Sequence, residues 1–280
     1  MFRFSTPVPP RLSIETRAGT VEVETADTDE TTVELVALND AKVTHDAIAA
    51  ATVEQRGDAV IVHLPERFGS FLGRGPSVAV RVAAPHESGL RVKTGSADLT
   101  ARGTFTTTSI DTGSGDVEVG VVVDSLQVNS GSGDVNVERV DGDAAVRTGS
   151  GDVVLGTVGG EASFSSGSGD LDLVAGGRAL VVKTGSGNVR VGTAPADLRI
   201  TTASGRTRID TVDHGEVRVK ASSGDVQAGI RAGTAALLDV RTISGRVRSA
   251  LDAAAEPASS DRQVRLQLST VSGDIELTRV

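Results

Sequence analysis

A glycine-rich turn that returns at a fixed interval is the feature that most restricts how this chain can fold. Its fullest copy is Thr112-Gly113-Ser114-Gly115-Asp116-Val117. The aspartate position recurs, sometimes substituted, at Asp98, Asp116, Asp134, Asp152, Asp170, Asn188, Arg206, Asp225, Arg246 and Asp274. Successive copies lie 18 residues apart from position 98 to position 206, and the interval then becomes 19, 21 and 28. Such regular spacing predicts a repeat architecture in which each copy is one structural unit.

Each repeat contains two short segments in which apolar and polar residues alternate, the pattern of a half-buried strand. Val117-Glu118-Val119 is an example of the first segment, and Leu126-Gln127-Val128 of the second. A meander of antiparallel hairpins does not require constant spacing, whereas a solenoid that stacks equivalent strands does. The predicted fold is therefore all-β, a parallel β-helix (β-solenoid) with rungs of ~18 residues.

Stacking of equivalent residues predicts where the core and the turn contacts lie. Val117, Val119, Leu126 and Val128, with their equivalents, are expected to point inward and supply the bulk of the core. A serine stands two residues before the aspartate position in all ten copies, and it is expected to point inward with its hydroxyl bonded to a backbone group. The aspartate is expected to cap backbone N–H groups of its own turn.

The first 91 residues contain strand patterns that do not follow the 18-residue interval. The predicted strands there are Thr20–Glu24, Thr32–Ala37, Thr52–Gln55, Ala59–His63 and Val78–Val82, with a hairpin turn at Arg56-Gly57-Asp58. Solenoids need atypical terminal rungs that cover the core. We therefore predict an N-terminal cap over residues 1–91 and a regular solenoid over residues 92–280, with surface loops at 68–76 and 249–263.

Composition argues against several classes of function. Because the chain has no Cys, it can form neither disulfides nor thiolate metal sites. A net charge of −9 and the absence of Trp and Tyr argue against nucleic acid as a partner. No apolar run approaches ~18 residues, so no membrane span is expected. The start of the sequence lacks an apolar leader segment, which favours a cytoplasmic location.

Calcium binding and catalysis receive little support from the residues. Calcium-binding β-rolls repeat Gly-Gly-x-Gly-x-Asp, whereas here the aspartate follows glycine directly and one such turn occurs in each rung. Polysaccharide-cleaving β-helices need clustered carboxylates, and the outward carboxylates of this chain are isolated from one another. The four histidines, His45, His63, His86 and His214, show no metal-ligand spacing. We therefore predict no catalytic residue, no cofactor and no metal site.

Charge is unevenly distributed along the repeat. Residues 98–179 contain 13 acidic and 4 basic residues, whereas residues 180–250 contain 6 acidic and 11 basic ones. If rungs stack in chain order, two outward stripes of arginine form: Arg190, Arg208 and Arg248 on one face, and Arg199, Arg218 and Arg241, beside Lys183, on the other. These arginines are the candidate interaction surface, for an acidic protein partner or for the acidic stretch of a second copy. A solvated surface with no partner is the alternative.

Three segments resemble a bacterial family of adhesin-like β-strand-repeat proteins of unknown function, similar to the head domain of auto-transporter adhesins. They are the Thr-Gly-Ser-Gly-Asp-Val repeat, the opening Phe4-Ser5-Thr6-Pro7, and the run Gly75-Pro76-Ser77-Val78-Ala79-Val80-Arg81-Val82-Ala83-Ala84-Pro85. The resemblance covers nearly the whole chain. It implies a right-handed parallel β-helix, and it supplies no catalytic or binding residues.

The function predicted from these observations is that of a non-catalytic structural or interaction scaffold that presents a β-solenoid surface. Three alternatives remain open: a cell-envelope adhesin, a filament scaffold assembled end to end, and a calcium-binding protein similar to a β-roll. The last strand pattern, Ile275-Glu276-Leu277-Thr278, has no obvious cap after it, which favours end-to-end assembly.

Overall fold

The structure is a computed structural model that describes residues 1–65, 76–251 and 262–280. These residues form two compact units, Met1–Gly142 and Asp143–Val280. Most of the predicted loop at 68–76 and of the predicted loop at 249–263 lies outside the described residues. The predicted boundary at 91/92 remains a prediction.

The first unit consists of strands and one short helix among the described residues. Its elements are β1 (Phe2–Ser5), β2 (Arg11–Thr16), β3 (Gly19–Ala26), β4 (Glu30–Ala37), α1 (Lys42–Ala49), β5 (Thr52–Arg56), β6 (Ala59–His63), β7 (Val78–Pro85), β8 (Ser88–Thr94), β9 (Asp98–Thr112), β10 (Val117–Ser130) and β11 (Val135–Val140).

Two rows of paired strands organise this unit. One row runs β5–β6–β2–β8 and continues through the C-terminal halves of β9 and β10. The other runs β1–β4–β7–β3 and continues through the N-terminal halves of β9 and β10 to β11. The β1–β4, β4–β7 and β5–β6 pairs are antiparallel, and the remaining pairs are parallel. Antiparallel strands therefore cover the outermost parallel strands, β6 and β7.

The second unit is built from strands alone in its described residues. They are β12 (Asp143–Thr148), β13 (Val153–Val158), β14 (Glu161–Ser168), β15 (Leu171–Gly176), β16 (Ala179–Ser186), β17 (Val189–Thr193), β18 (Asp197–Ser204), β19 (Thr207–Val212), β20 (Gly215–Ser223), β21 (Val226–Ile230), β22 (Thr234–Ser244), β23 (Val247–Ser249), β24 (Arg262–Ser272) and β25 (Ile275–Arg279).

Each rung of the second unit contributes one strand to each of two parallel rows. The first row runs β12–β14–β16–β18–β20–β24–β22. The second runs β13–β15–β17–β19–β21–β25–β23. The 18-residue interval sets the register, since Arg190 is aligned with Asp172 on one side and Arg208 on the other. The predicted all-β solenoid is confirmed.

Rungs near both chain termini are not stacked in chain order. The β2–β3 rung lies between the β6–β7 rung and the β8–β9 rung. The β24–β25 rung likewise lies between the β20–β21 rung and the β22–β23 rung. The expectation that the last strand is an uncapped end is therefore wrong, because β25 pairs along both of its edges. The outermost described rung of this unit is β22–β23.

Inward-facing aliphatic residues form the core, as the alternation predicts. Val117, Val119, Leu126 and Val128 are all buried, with at most 3% of any of them exposed. Repeated in every rung, these residues supply most of the buried apolar surface that stabilises the solenoid. The only fully buried aromatic side chains among the described residues are Phe105 and Phe164.

The N-terminal strand predictions are confirmed, but helix α1 was not predicted. The hairpin turn lies where the sequence indicates, since Arg56 pairs with Ala59 across it. Helix α1 has only eight residues and buries Thr44 and Ala47. Asn39 Oδ1 accepts hydrogen bonds from the Ala41 N–H at 3.1 Å and the Thr44 hydroxyl at 2.6 Å, which fixes the start of the helix. A segment this short, with three β-branched residues (Val43, Thr44 and Ile48), shows no clear helical period.

Candidate functional site

The aspartate of the repeated turn bonds to the next rung rather than to its own turn. Asp98 Oδ1 accepts a hydrogen bond from the Asp116 N–H at 3.0 Å, and Asp116 Oδ1 accepts one from the Asp134 N–H at 3.0 Å. In the second unit, the same bond joins Asp152 to Asp170, Asp170 to Asn188, Asn188 to Arg206, Asp225 to Asp274, and Asp274 to Arg246. We call this series the aspartate ladder. It corrects the expectation that each aspartate caps its own turn.

The aspartate ladder explains which copies tolerate a substitution. Asn188 keeps an amide oxygen and accepts the Arg206 N–H at 3.0 Å. Arg246 belongs to the outermost described rung, so no further rung there needs an acceptor from it. Arg206 has no acceptor atom and interrupts the ladder, and its guanidinium lies 3.9 Å from the Asp225 carboxylate instead. The carboxylates therefore serve mainly to join rungs.

The recurring serine is exposed in all ten copies, so its predicted inward orientation is wrong. In nine of the ten copies a buried or half-buried hydroxyl belongs to the residue two positions earlier, and Ala221 takes that position in the remaining copy. In three copies that hydroxyl accepts a hydrogen bond from the second glycine of the turn, at 3.0–3.2 Å: Thr112 from Gly115, Ser130 from Gly133 and Thr148 from Gly151. In these three copies the inward side chain closes its own turn, while the serine faces solvent.

Close stacking of the turns explains why the second glycine is needed. A Cβ on Gly115 would lie 2.0 Å from the Ala97 carbonyl oxygen, and one on Gly133 would lie 2.1 Å from that of Gly115. Any larger residue would push adjacent rungs apart. The requirement at these two positions is steric, since neither glycine has a positive φ.

The described residues bring together no obvious catalytic or metal-binding set. No group of three or more His, Cys, Asp or Glu side chains in them could hold a metal ion. His63 Nδ1 lies 3.3 Å from Glu15 Oε2, His86 Nδ1 lies 3.1 Å from the Thr25 hydroxyl, and His214 contacts Asp213. These three contacts are separate, and in each the histidine contacts one polar side chain.

A polar cleft of about 780 Å³ lies in the first unit and was not predicted from the sequence. Glu15, Lys93, Asp111 and Asn129 occupy aligned positions on four strands along it. Asn129 Nδ2 donates a hydrogen bond to Asp111 Oδ1 at 2.8 Å. Opposite charges alternate along the cleft, so it offers no concentrated charge to a ligand.

The first predicted arginine stripe is largely neutralised by acidic neighbours. The Arg190 guanidinium lies 3.2 Å from Asp172 and 2.9 Å from Asp210, and Arg208 lies 2.6 Å from Asp210. Partial burial opposes the charged form of Asp210, but hydrogen bonds from both arginines outweigh it, so its pKa is lowered. The third member, Arg248, is not adjacent to the other two, because the aligned residues between Arg208 and Arg248 are Gln227 and Glu276.

The second predicted stripe is partly correct. Arg199 and Arg218 are aligned on β18 and β20, but Gln267 and Asp239 continue that column. Arg241 lies in the neighbouring column, which contains Lys183, Thr201, Lys220, Ser269 and Arg241. Arg241 was misplaced because it stands five residues before the aspartate position of its copy, as Lys183 and Lys220 do, whereas Arg199 and Arg218 stand seven residues before theirs. Arg218 is paired with Glu216 at 2.7 Å, and Arg241 with Asp239 at 2.9 Å.

Four exposed cations on this outer face have no acidic partner among the described residues. They are Lys183, Arg199, Lys220 and Arg265, on β16, β18, β20 and β24. A shallow groove of about 170 Å³ lies beside Lys220 and is also lined by Arg218 and Arg241. We call the outer surface of β16, β18, β20 and β24 the basic face. It carries uncompensated positive charge on a chain whose net charge is −9.

The fold and the turn define a class of protein: a parallel β-solenoid whose rungs are joined by Gly-Ser-Gly-Asp turns. The chain belongs to the Toastrack DUF4097 family, which matches residues 10–211 and 177–278. This agrees with the adhesin-like β-strand-repeat family that the sequence resembles. No curated protein matches the chain.

Several solved structures are similar to this chain at low sequence identity. A putative lipid binding protein from Parabacteroides distasonis ATCC 8503 is 12% identical, with a TM-score of 0.51 over 100% of this chain and 95% of that one. A putative adhesin from Bacteroides fragilis NCTC 9343 is 11% identical, with a TM-score of 0.42 over 100% and 95%. A putative adhesin from Parabacteroides merdae ATCC 43184 is 12% identical, with a TM-score of 0.37 over 99% and 94%. The first of these likenesses supports the fold alone.

The comparisons do not support the predicted cytoplasmic location. Within residues 1–65, 76–251 and 262–280, no helix is long and apolar enough to cross a bilayer.

Proposed function

We propose that this protein is a non-catalytic interaction scaffold whose basic face binds an acidic segment of a partner protein. The observation that carries the proposal is the set of exposed cations on β16, β18, β20 and β24 that have no acidic partner among the described residues. The arginines of the opposite row of strands are instead held by Asp172 and Asp210.

The spacing of the cations suits an extended acidic chain. Lys183 and Lys220 share a column and are separated by the one strand that carries Thr201. Strands in a sheet lie ~4.8 Å apart, so these ammonium groups are rooted ~10 Å apart, with Arg199 between them in the adjacent column. Carboxylates two or three residues apart on an extended segment can reach such sites. Exposed pairs contribute little individually, so several must act together.

Adhesion is one setting in which such a scaffold operates. The proteins from Bacteroides fragilis and Parabacteroides merdae are described as putative adhesins, and a repetitive outer face can present the same chemistry over a long surface. A partner on a cell surface and a partner inside the cell would use the same cations. The proposal therefore concerns the chemistry of the partner rather than its location.

Binding of poly-L-glutamate, measured by fluorescence anisotropy over a salt series, tests the proposal. The wild-type protein should bind at low ionic strength and lose affinity between about 20 and 200 mM NaCl, because screening weakens exposed charge pairs. The triple variant Lys183→Glu, Arg199→Glu, Lys220→Glu should bind about tenfold more weakly or worse, as expected from three lost exposed pairs.

A matched control makes the same change in net charge on the first unit, with Arg17→Glu, Arg91→Glu and Arg102→Glu. These arginines are also exposed and have no acidic partner among the described residues. The control should retain most of the wild-type affinity. Equal losses of affinity in the two triple variants would show that binding depends only on the overall charge of the protein, and would overturn the proposal. Binding to anionic lipid vesicles but not to poly-L-glutamate would also contradict it.

A further inference from the structure

The β22–β23 rung has an edge that no described strand covers. In the described residues β22 pairs only with β24, and β23 only with β25. The lack of an outer neighbour exposes residues that are buried in interior rungs. Leu238 is 39% exposed and Val247 is 47% exposed, whereas their aligned neighbours Leu266 and Ile275 are each 0% exposed.

The backbone of β22 is also available for pairing. The Ser244 carbonyl accepts a hydrogen bond from the Gly273 N–H, so the even-numbered residues of β22 direct their backbone groups toward β24. Alternation along a strand then directs the N–H and C=O groups of the odd-numbered residues toward the free edge. Unpaired groups of this kind form a template for another strand.

The outward side chains on this edge strand differ from those on the strands beside it. They are Leu237, Asp239, Arg241 and Ile243, and the aligned residues of β24 are Arg265, Gln267, Ser269 and Val271. Leu237 is 61% exposed and Ile243 is 82% exposed. The order apolar, acidic, basic, apolar is self-complementary, because reversing the strand places each residue opposite one of compatible chemistry.

We infer that β22 pairs antiparallel with β22 of a second copy of this chain, about a two-fold axis at Val240. In that register Asp239 faces Arg241 of the other copy, and Leu237 faces Ile243 of the other copy. The second copy then covers Leu238 and Val240, so the outermost core residues of both copies become buried.

The backbone geometry supports this register independently of the side chains. An antiparallel pair centred on Val240 aligns odd-numbered residues with odd-numbered residues, and these are the ones whose backbone groups face the edge. Leu237, Asp239, Arg241 and Ile243 then all occupy hydrogen-bonded pairs, which gives about eight inter-chain backbone bonds. A register shifted by one residue would align free groups with occupied ones.

Continued parallel stacking would need a second uncovered edge that could pair with β22 and β23. The end of the aspartate ladder at Arg246 does not prevent such stacking, since Arg206 also lacks a side-chain acceptor and rungs stack on both of its sides. The outermost parallel strands of the first unit, β6 and β7, are already paired with β5 and β4. A closed two-fold dimer therefore fits the edge better than an end-to-end filament. This inference uses a surface centred on β22 and does not depend on the proposed binding of an acidic partner.

Sedimentation equilibrium of single charge reversals provides the main test. The wild-type protein should show a concentration-dependent mass that rises toward about twice 28.6 kDa and does not exceed it. Asp239→Arg places arginine opposite arginine and Arg241→Asp places aspartate opposite aspartate, so each variant alone should remain monomeric. An equimolar mixture of the two should form a one-to-one heterodimer, because both cross-strand pairs then become Arg–Asp. Both side chains are at least half exposed, so the fold should tolerate these changes.

The double variant Asp239→Arg, Arg241→Asp is the matched control and should dimerise like the wild type. A monomeric wild type at all concentrations, or assemblies larger than a dimer, would overturn the inference. The same holds if the mixed single variants remain monomeric while the double variant behaves as the wild type.

A cysteine variant tests the register. The natural chain has no cysteine, so Val240→Cys introduces a single thiol that would face its own copy across the axis. Non-hydrogen-bonded antiparallel pairs have Cα atoms about 4.5 Å apart, which a disulfide can span. Mild oxidation should link Val240→Cys into dimers and leave the control Ile243→Cys mostly unlinked. Equal cross-linking of the two variants would reject the register.

Discussion

The outermost parallel rung of the first unit and that of the second unit are built alike but end differently. In the first unit β7 is covered by antiparallel β4, which in turn pairs with β1, and β6 is covered by β5. In the second unit no described strand covers β22 or β23. Covered edges cannot accept another strand, whereas open ones can. The difference indicates that strands of the same chain cover the outer edge of the first unit, whereas the outer edge of the second unit can pair with a strand of a partner.

The two units share one feature: the β2–β3 rung and the β24–β25 rung each lie one position in from the outermost parallel rung of their unit. Strands β2 and β3 are each paired on both edges, and so are β24 and β25. Flanking rungs therefore cover both edges of these four strands, and the uncovered edge of the second unit is formed by β22 and β23.

A matched pair of valine truncations should show the largest effect of the difference between the two edges. Val80 on β7 is 0% exposed because Val21 and Leu35 flank it, whereas Val240 on β22 is half-buried. Val80→Ala should lower the free energy of unfolding by about 2–3 kcal/mol, from lost burial plus a cavity. Val240→Ala should cost under about 1 kcal/mol, because less of its surface is buried. Urea denaturation at low protein concentration, where the second unit is unpaired, measures both.

The same variants at high protein concentration sharpen the comparison. If β22 pairs with its copy, Val240→Ala should cost more as concentration rises, while the cost of Val80→Ala should stay constant. Equal costs for the two variants at low concentration would show that something in the second unit already covers Val240.

The 18-residue interval made much of the fold predictable. It gives the alignment of Asp172, Arg190 and Arg208 correctly, because identical spacing forces identical positions in stacked rungs. It fails after Asp225, whose turn bonds to Asp274, 49 residues further on, rather than to Arg246. A lengthened interval reveals an inserted segment but not the order in which the rungs stack. Arg248 is therefore separated from Arg208 by one more rung than chain order predicts, whereas Arg241 was misassigned because it stands two residues beyond the column of Arg199 and Arg218.

The turn illustrates a second limit of pattern reasoning. A serine that recurs ten times suggested a buried contact, yet the structure exposes it and uses the preceding hydroxyl, such as that of Thr112. Alternation does not extend reliably through a turn, where the backbone leaves the extended conformation. The charge pairs that neutralise Arg190 escaped prediction for a related reason, since Asp210 lies two residues beyond the aligned position.

Two glycines with similar backbone geometry allow a second comparison of the two edges, with an expected effect of intermediate size. Gly57 in the β5–β6 turn has φ of 63° and Gly233 before β22 has φ of 77°, and a Cβ at either position would have no heavy atom within 4 Å. Replacement by alanine should cost about 1 kcal/mol at either site from backbone strain alone. Asparagine, which tolerates this conformation, should cost less than alanine at both.

The two substitutions should differ in whether they lower the stability of the whole fold or only that of one strand. The β5–β6 hairpin is held by the β2 pairing, so Gly57→Ala should lower the urea midpoint of unfolding. Gly233→Ala should mainly increase amide hydrogen exchange in β22, which has one neighbour among the described strands. A uniform fall in the midpoint for both variants, with no local change in exchange, would mean that β22 is held as firmly as β6.

The smallest expected effects concern two carboxylates, Asp58 near the covered edge and Asp274 beside the open one. The hydrogen bond from Arg11 lowers the pKa of Asp58, and the hydrogen bond from the Arg246 N–H lowers that of Asp274. A lowered folded pKa means that each contribution to stability is present above the ordinary carboxyl pKa of about 4 and is lost as the pH falls through the lowered value. Both sites should therefore be intact at neutral pH and weaken only in acid.

Asparagine substitutions show whether each carboxylate stabilises its surroundings through its charge or through an acceptor oxygen. The measurement is amide hydrogen exchange of the surrounding strands at neutral pH. Asp58 accepts two hydrogen bonds from the Arg11 guanidinium, at 3.0 and 2.8 Å. Asp58→Asn removes the charge and one acceptor oxygen, so it should loosen the β5–β6 turn, and high salt should loosen the wild type to a smaller extent. Asp274 acts through an oxygen that accepts the Arg246 N–H at 2.9 Å, so Asp274→Asn should preserve protection of that amide while Asp274→Ala abolishes it. Asn188 already performs this role within the aspartate ladder. If Asp274→Asn exposed the Arg246 amide as fully as alanine does, charge rather than the acceptor oxygen would hold the open rung in place.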